Sequence, residues 1–295
     1  MERISISEQC TFSRIIRGFW RLVSWEWSTE ELISHISACI DHGVTTFDTA
    51  EVYSMGECET QLGKALQNIP RNQYQIVTKT GISRMELNGK TFGYYDTRYD
   101  RIIASCKESL RKLGCEYIDL YLIHREDPLI DFEQVAAAFQ ELKKEGLILE
   151  AGVSNFDPYK FNTLNAKMNG TLRTDQIEWS PCCWEHFESG LIDMLNGAGI
   201  PPMIWSPLAG GKLFNGDEPI YEKTRAKVME IAERHKTAPE TVVYAWIMMH
   251  PVNAMPIVGS RRMESIRKAV NALELKLEQH EWFEIYAASG QRIIR

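Results

Sequence analysis

Asp48, Tyr53, Lys79 and His124 carry side chains that, brought together, could add a proton to a carbonyl oxygen while something else delivers hydride to its carbon. Three of them stand where a short apolar run ends: 44–47 precedes Asp48, 74–77 leads to Lys79, and 118–123 precedes His124. Tyr53 lies in the turn after the first run. A free phenol titrates near ~10, too high to exchange its proton readily at neutral pH. A nearby ammonium favours the phenolate and so lowers that value, and a carboxylate keeps the ammonium charged and oriented. An imidazole can hydrogen-bond the carbonyl oxygen or share in the proton relay. Taken singly, the four have plainer readings: a loop tyrosine, a strand-end lysine, a turn aspartate and a structural histidine. The set acquires meaning if successive strands deliver it to one place.

The rest of the chain supplies such strands. Strand candidates at 14–19, 44–47, 74–79, 118–123, 150–153, 175–178, 202–205 and 254–258, most of them short apolar runs, alternate with amphipathic segments. The helical segments are 29–42, 58–68, 99–113, 131–144, 158–169, 187–196, 221–250 with an interruption near Pro239, and 263–273. Ser28, Glu30 and Glu31 suit a helix start, while Gly43, Gly114 and Gly146 sit where a helix stops and a strand follows. Eight such pairs predict an α/β fold, a single-domain (β/α)8 TIM barrel over residues 1–295. A doubly wound sheet fits less well, because no Gly-x-Gly-x-x-Gly turn follows the first strand and no linker divides the chain.

Three further segments carry expectations. Residues before Arg14, with Ile4 and Ile6 alternating, suit a short hairpin over the barrel floor. Residues 81–100 read as the longest irregular stretch, placed beside Lys79 to wall the site. The tail 275–295 carries Trp282, Phe283 and Tyr286 at helical spacing and reads as a packed helix.

Composition narrows the class. A chain of 295 residues with 44% hydrophobic and 25% charged residues can bury a large core, and its net charge of −7 gives no general affinity for nucleic acid or anionic membrane. The seven cysteines show no metal-ligand spacing and read as reduced thiols, with the Cys182–Cys183 pair in packing or pocket lining. No metal is expected. The N-terminus lacks a signal-peptide pattern and no apolar run reaches membrane-spanning length, so the expected location is cytoplasmic and the expected state monomeric.

The residues around the four carry a resemblance. The run 47–53, Phe-Asp-Thr-Ala-Glu-Val-Tyr, resembles the aldo-keto reductase signature, as do Gly152-Val153-Ser154-Asn155-Phe156, Leu122-Ile123-His124 and the run 205–211. It spans almost the whole chain in order. His124–Leu129 (HREDPL) and Ile257–Arg262 (IVGSRR) resemble a bacterial oxidoreductase branch.

The resemblance implies an NADP(H)-dependent reductase of small-molecule carbonyl substrates, with Tyr53 the proton donor. It further implies that Ser154, Asn155 and Gln176 hold the nicotinamide carboxamide, that Trp205 stacks on the ring, and that Phe19 and Trp20 border it. Ser206, Pro207, Leu208, Gly210 and Lys212 would wrap the pyrophosphate. Gly259, Ser260, Arg261 and Arg262 would take the adenosine phosphate, the arginines favouring NADPH over NADH. The chain departs from the family on the next helix, where Ser265, Lys268 and Ala269 replace the residues that usually hold adenine. Arg125, Cys182, Cys183 and Trp184 are further pocket candidates. A second reading, of another class, is a cofactor-sensing regulatory subunit like the channel β-subunits of this fold, with slow turnover.

Overall fold

The computed structural model describes residues 1–293; the last two residues of the expected tail, 294 and 295, lie outside the described residues. The chain opens on two antiparallel strands, β1 (Arg3–Ser5) and β2 (Thr11–Ser13). Strands β3 (Ile16–Gly18), β4 (Thr46–Asp48) and β5 (Gln75–Thr80) follow, then an antiparallel pair, β6 (Ile82–Leu87) and β7 (Lys90–Tyr95). After these come β8 (Ile118–Ile123), β9 (Ile148–Ser154), β10 (Leu172–Glu178), β11 (Met203–Trp205) and β12 (Met255–Val258). Strands β3, β4, β5 and β8 to β12 are parallel neighbours in that order, and β12 returns to β3 to close an eight-stranded barrel. All eight runs read from the sequence are barrel strands.

Helices occupy the intervals: α1 (Thr29–Asp41), α2 (Glu57–Leu66), α3 (Tyr99–Leu113), α4 (Phe132–Lys144), α5 (Pro158–Lys167), α6 (Glu185–Glu188), α7 (Leu191–Ala198), α8 (Lys212–Asn215), α9 (Pro219–Arg234), α10 (Pro239–Met248), α11 (Met263–Asn271) and α12 (Gln279–Ala288). Their ends follow local chemistry. Ser28 and Glu31 form a capping box at α1, the serine hydroxyl accepting from Glu31 N at 3.2 Å and Ser28 N donating to the Glu31 carboxylate at 2.8 Å. Pro239 sits in the first turn of α10, where its missing N–H leaves no bond unmade. No helix among the described residues is long and apolar enough to cross a membrane.

Two expectations need correction. The helix expected over 187–196 is two helices, because Gly190 adopts a left-handed φ of 78° between α6 and α7. The stretch 81–100 is mostly the β6–β7 hairpin, turning at Asn88 (φ 51°) and Gly89 (φ 74°), the conformation that an Asn-Gly pair favours. The hairpin stands on the site's rim but supplies none of the side chains lining the cleft described below.

Inside the barrel, Ile16, Val77, Leu120, Leu122, Met203, Met255 and Ile257 pack on one another and on Ile4, Ile6, Cys10 and Phe12 from the N-terminal hairpin. The hairpin therefore closes the floor, and the open end lies at the strands' C-terminal edges, where barrel enzymes keep their sites.

On the outer face of β3, Arg17 is fully buried with no carboxylate partner among the described residues. Its Nε donates to His35 Nε2 at 3.0 Å, one guanidinium nitrogen donates to Val258 O at 2.8 Å, and the plane lies 4.7 Å from the Trp25 ring. Burial lowers the arginine to about 10. Burial, and then the neighbouring Arg17, holds His35 down at about 3. An unfolded His35 takes its proton near ~6.5, whereas the folded one refuses it until about 3, so acidification through that window favours unfolding. His35→Gln offers an amide oxygen to Arg17 and removes the titration. The drop in Tm between about pH 7.5 and about pH 5 should then be smaller than in the native chain. Equal drops in the two proteins would mean that His35 is not a source of the acid sensitivity.

Candidate active site

Three strand ends and one turn assemble the catalytic candidates. Asp48 is the last residue of β4, Lys79 lies near the end of β5, and His124 follows β8 directly. Tyr53 begins a single turn in which Ser54 and Met55 are left-handed (φ 48° and 59°), so the chain doubles back before α2. Lys79 Nζ donates to Asp48 Oδ1 at 2.8 Å and to Thr49 O at 2.7 Å, and lies 3.3 Å from Tyr53 Oη. The Tyr53 and His124 rings meet edge to face with centroids 5.5 Å apart. The sequence-predicted set is thus one contiguous cluster.

Burial works against the charge on Lys79, but Asp48 and then Tyr53 outweigh it and raise its pKa. The ammonium therefore stays protonated inside the barrel. For Tyr53 the expectation of a lowered pKa is incomplete. Burial raises it, the Lys79 charge pulls the other way, and the net direction is upward. The phenol consequently keeps its proton at neutral pH, as a proton donor must. Burial, followed by the charges of Lys79 and Arg125, holds His124 well below its ordinary pKa, so its imidazole is neutral. Its buried Nδ1 has no partner among the described residues.

Gln176 makes a further contact inside the cluster. Its Nε2 donates to Asp48 Oδ1 at 2.8 Å, so its amide helps to fix the carboxylate, although it also lines the cleft. Ser154 Oγ donates to Gln176 O at 2.7 Å and accepts from Asn155 Nδ2 at 2.7 Å. Trp205 Nε1 donates to Asn155 Oδ1 at 2.9 Å. These bonds tie the ends of β9, β10 and β11 into one polar ledge.

A cleft of about 1180 Å³ runs from Tyr53 and His124 to Arg261 and Arg262. Of the residues expected at a cofactor, Trp20, Ser154, Asn155, Gln176, Trp205, Ser206, Pro207, Leu208, Gly210, Lys212, Gly259, Ser260, Arg261 and Arg262 line it. Left-handed backbone at Asn155, Ser206, Ala209, Gly210 and Gly211 bends the chain around its middle.

Phe19 is a correction. It is fully buried against Phe47 and Trp25, because alternation past β3 sends Trp20 to the cleft and Phe19 into the helix layer. Trp184 is another. Its indole N–H lies within bonding distance of Pro181 O and Ser289 Oγ, and its ring packs on Trp246 and Tyr286, away from the cleft. Cys182 and Cys183 are likewise outside the lining.

The sequence reading missed Trp25, Tyr244 and Glu240, which also line the cleft. Lys268, one of the residues that depart from the family pattern, donates to Glu240 at 2.8 Å, so a carboxylate from α10 faces that end. No local motif marks these three; only the docking of α10 and of the short 3-10 turn at Leu22–Trp25 against the barrel puts them there.

A model of the Aldo/keto reductase family matches residues 14–289. The chain belongs to the aldo/keto reductase family. An uncharacterized oxidoreductase of Bacillus subtilis, YcsN, is 42% identical over 98% of both chains. A 6-dehydroglucose reductase of Agrobacterium fabrum is 36% identical over 99% of this chain and all of its own length. Among solved structures, a thermostable aldo-keto reductase in complex with the inhibitor epalrestat superposes with a TM-score of 0.83 at 26% identity, covering 98% of this chain and 100% of that one. The chain is therefore an oxidoreductase of this family on a (β/α)8 barrel.

Proposed function

We propose that this aldo/keto reductase reduces aldehydes or ketones to alcohols with NADPH, Tyr53 giving the proton. The observation that carries the reading is the chain Tyr53 Oη–Lys79 Nζ–Asp48 Oδ1, at 3.3 and 2.8 Å, opening into the cleft beside a neutral histidine.

The donor set fits a nicotinamide dinucleotide. Amides and a flat aromatic, Asn155, Gln176 and Trp205, lie at the catalytic end. Lys212, Arg261 and Arg262 stand towards the other end, where phosphates would be neutralised, and the two guanidiniums suit a 2′-phosphate. When bound, the cofactor supplies the hydride that no side chain can.

The protein's own residues then handle charge and protons. His124 donates a hydrogen bond to the carbonyl oxygen and orients it. Tyr53 Oη passes its proton to that oxygen as charge develops there. Lys79 stabilises the phenolate left behind, and Asp48, held by Gln176, keeps the ammonium in place. The kinship with a 6-dehydroglucose reductase, whose name states a carbonyl reduction, supports the same reaction class.

A panel of aldehydes and ketones run side by side with NADPH and NADH tests the proposal. Multiple-turnover oxidation of the nucleotide is expected, with NADPH preferred. Oxidation that stops after about one equivalent would favour the sensor reading instead.

A further inference from the structure

The cations of the cleft outnumber what a dinucleotide requires at its phosphates. Asp48 and Glu240 are the only carboxylates lining the cleft among the described residues, and they are taken by Lys79 and Lys268. Lys212, Arg261 and Arg262 fall to the cofactor's phosphates in the reading above. That leaves Arg21, which is exposed and lies over the Trp20 ring, and Arg125, adjacent to His124 at the opposite, catalytic end.

Arg125 is half-buried, lies 5.4 Å from the centre of the Trp205 ring, and makes no ion pair or side-chain hydrogen bond among the described residues. The nearby carboxylates do not serve it. Glu126 is committed to Lys160 Nζ at 2.7 Å and to the backbone N–H of Asp157. Glu178, at the end of β10, stays beyond ion-pair distance, and burial followed by repulsion from Glu185 raises its pKa. Arg125 is also close enough to Tyr53 and His124 for its charge to lower both their pKa values. A guanidinium in this position has a rigid fork of donors, a half-buried aromatic ring beside it and no partner among the described residues.

Resting on the reductase reading, we propose that Arg125 is a recognition site for an anionic group carried by the substrate, so that the preferred substrates are aldehydes or ketones bearing a carboxylate or comparable anion away from the reacting carbonyl. Two parallel N–H bonds from the guanidinium to the anion would turn the carbonyl towards Tyr53 and His124. The net charge of −7 makes this local positive patch the more selective, since acidic metabolites are repelled elsewhere on the surface.

The test compares 2-, 3- and 4-carboxybenzaldehyde with their methyl esters. In the native chain kcat/KM should favour one of the acids over its ester by about 10- to 100-fold, the worth of a charge-assisted pair in a partly dry site. In Arg125→Gln that ratio should collapse to about one, and Arg125→Lys should keep part of it. Two measurements do not require the glutamine variant to fold. The KM of the native chain for the acid should rise with salt while that for the ester stays flat. By calorimetry with NADP+ present, monomethyl terephthalate, which keeps one carboxylate, should bind about tenfold more tightly than the uncharged dimethyl ester, a margin reduced in Arg125→Lys. Equal kcat/KM for acids and esters in the native chain, or an undiminished ratio in Arg125→Gln, overturns the proposal. Failure to turn over any aldehyde, charged or neutral, overturns the reductase reading and this proposal with it; turnover of esters without preference for acids overturns this proposal alone.

Discussion

Tyr53→Phe should lower kcat by about two to four orders of magnitude, the usual contribution of a positioned general acid, and leave the dissociation constant for NADPH within about twofold. The phenol is the only acid of the cluster that both holds its proton at neutral pH and reaches the cleft. His124 is neutral and is proposed to orient the carbonyl, and Lys79 is buried behind the tyrosine. Phenylalanine keeps the edge-to-face contact with His124, so the pocket's shape survives while the hydroxyl is lost. Single-turnover absorbance of the nucleotide separates the two effects: binding persists and hydride transfer stalls. Turnover within about threefold of the native rate would sink the assignment of Tyr53 as proton donor.

Lys79→Met carries the second large effect, and it falls on stability as well as on rate. Asp48 is 4% exposed and its Oδ1 accepts from both Lys79 and Gln176. With the ammonium gone, a buried carboxylate keeps one neutral donor, and breaking one side of such a pair costs about 3–5 kcal/mol. Methionine nearly fills the volume, so the loss reports charge rather than a cavity. Urea unfolding followed by tryptophan fluorescence measures it. The loss of kcat should match that of Tyr53→Phe, and the double variant should be no worse than either alone, because the lysine acts on the reaction through the phenol. Native-like stability would show that Asp48 tolerates isolation, and additive rate losses would show that the two residues act separately.

The barrel was legible because most of its strands are buried on both faces and read as largely apolar runs, with the polar β10 (Leu172–Glu178) the exception; 118–123 matches the bounds of β8. The β6–β7 hairpin escaped for the opposite reason. Nearly every side chain in it is exposed, so no apolar alternation marks it, and the Asn88–Gly89 pair was the one signal available. In the candidate site, residues at strand ends were legible because a strand fixes where its next side chain goes. Phe19 was misplaced by one step of alternation, next to the correctly placed Trp20. The Gln176–Asp48 bond was not legible, since its partners are 128 positions apart and only closure of the barrel brings them together. Glu240 eluded the reading similarly, because its tie to Lys268 depends on how α10 packs against α11.

Closure of the barrel also bears on how the chain is made. The seam between β3 and β12 includes a bond from Arg17 to Val258 O that spans 241 positions. While the polypeptide emerges from the ribosome, its first barrel strand, β3, therefore waits for a second neighbour that is translated almost last. Until then seven strands form an open sheet with two bare edges, each a template for pairing with another nascent chain. A product released before residue 255 would lack the closing strand and the cleft-lining Arg261 and Arg262 together, and would be an aggregation-prone fragment rather than a smaller barrel.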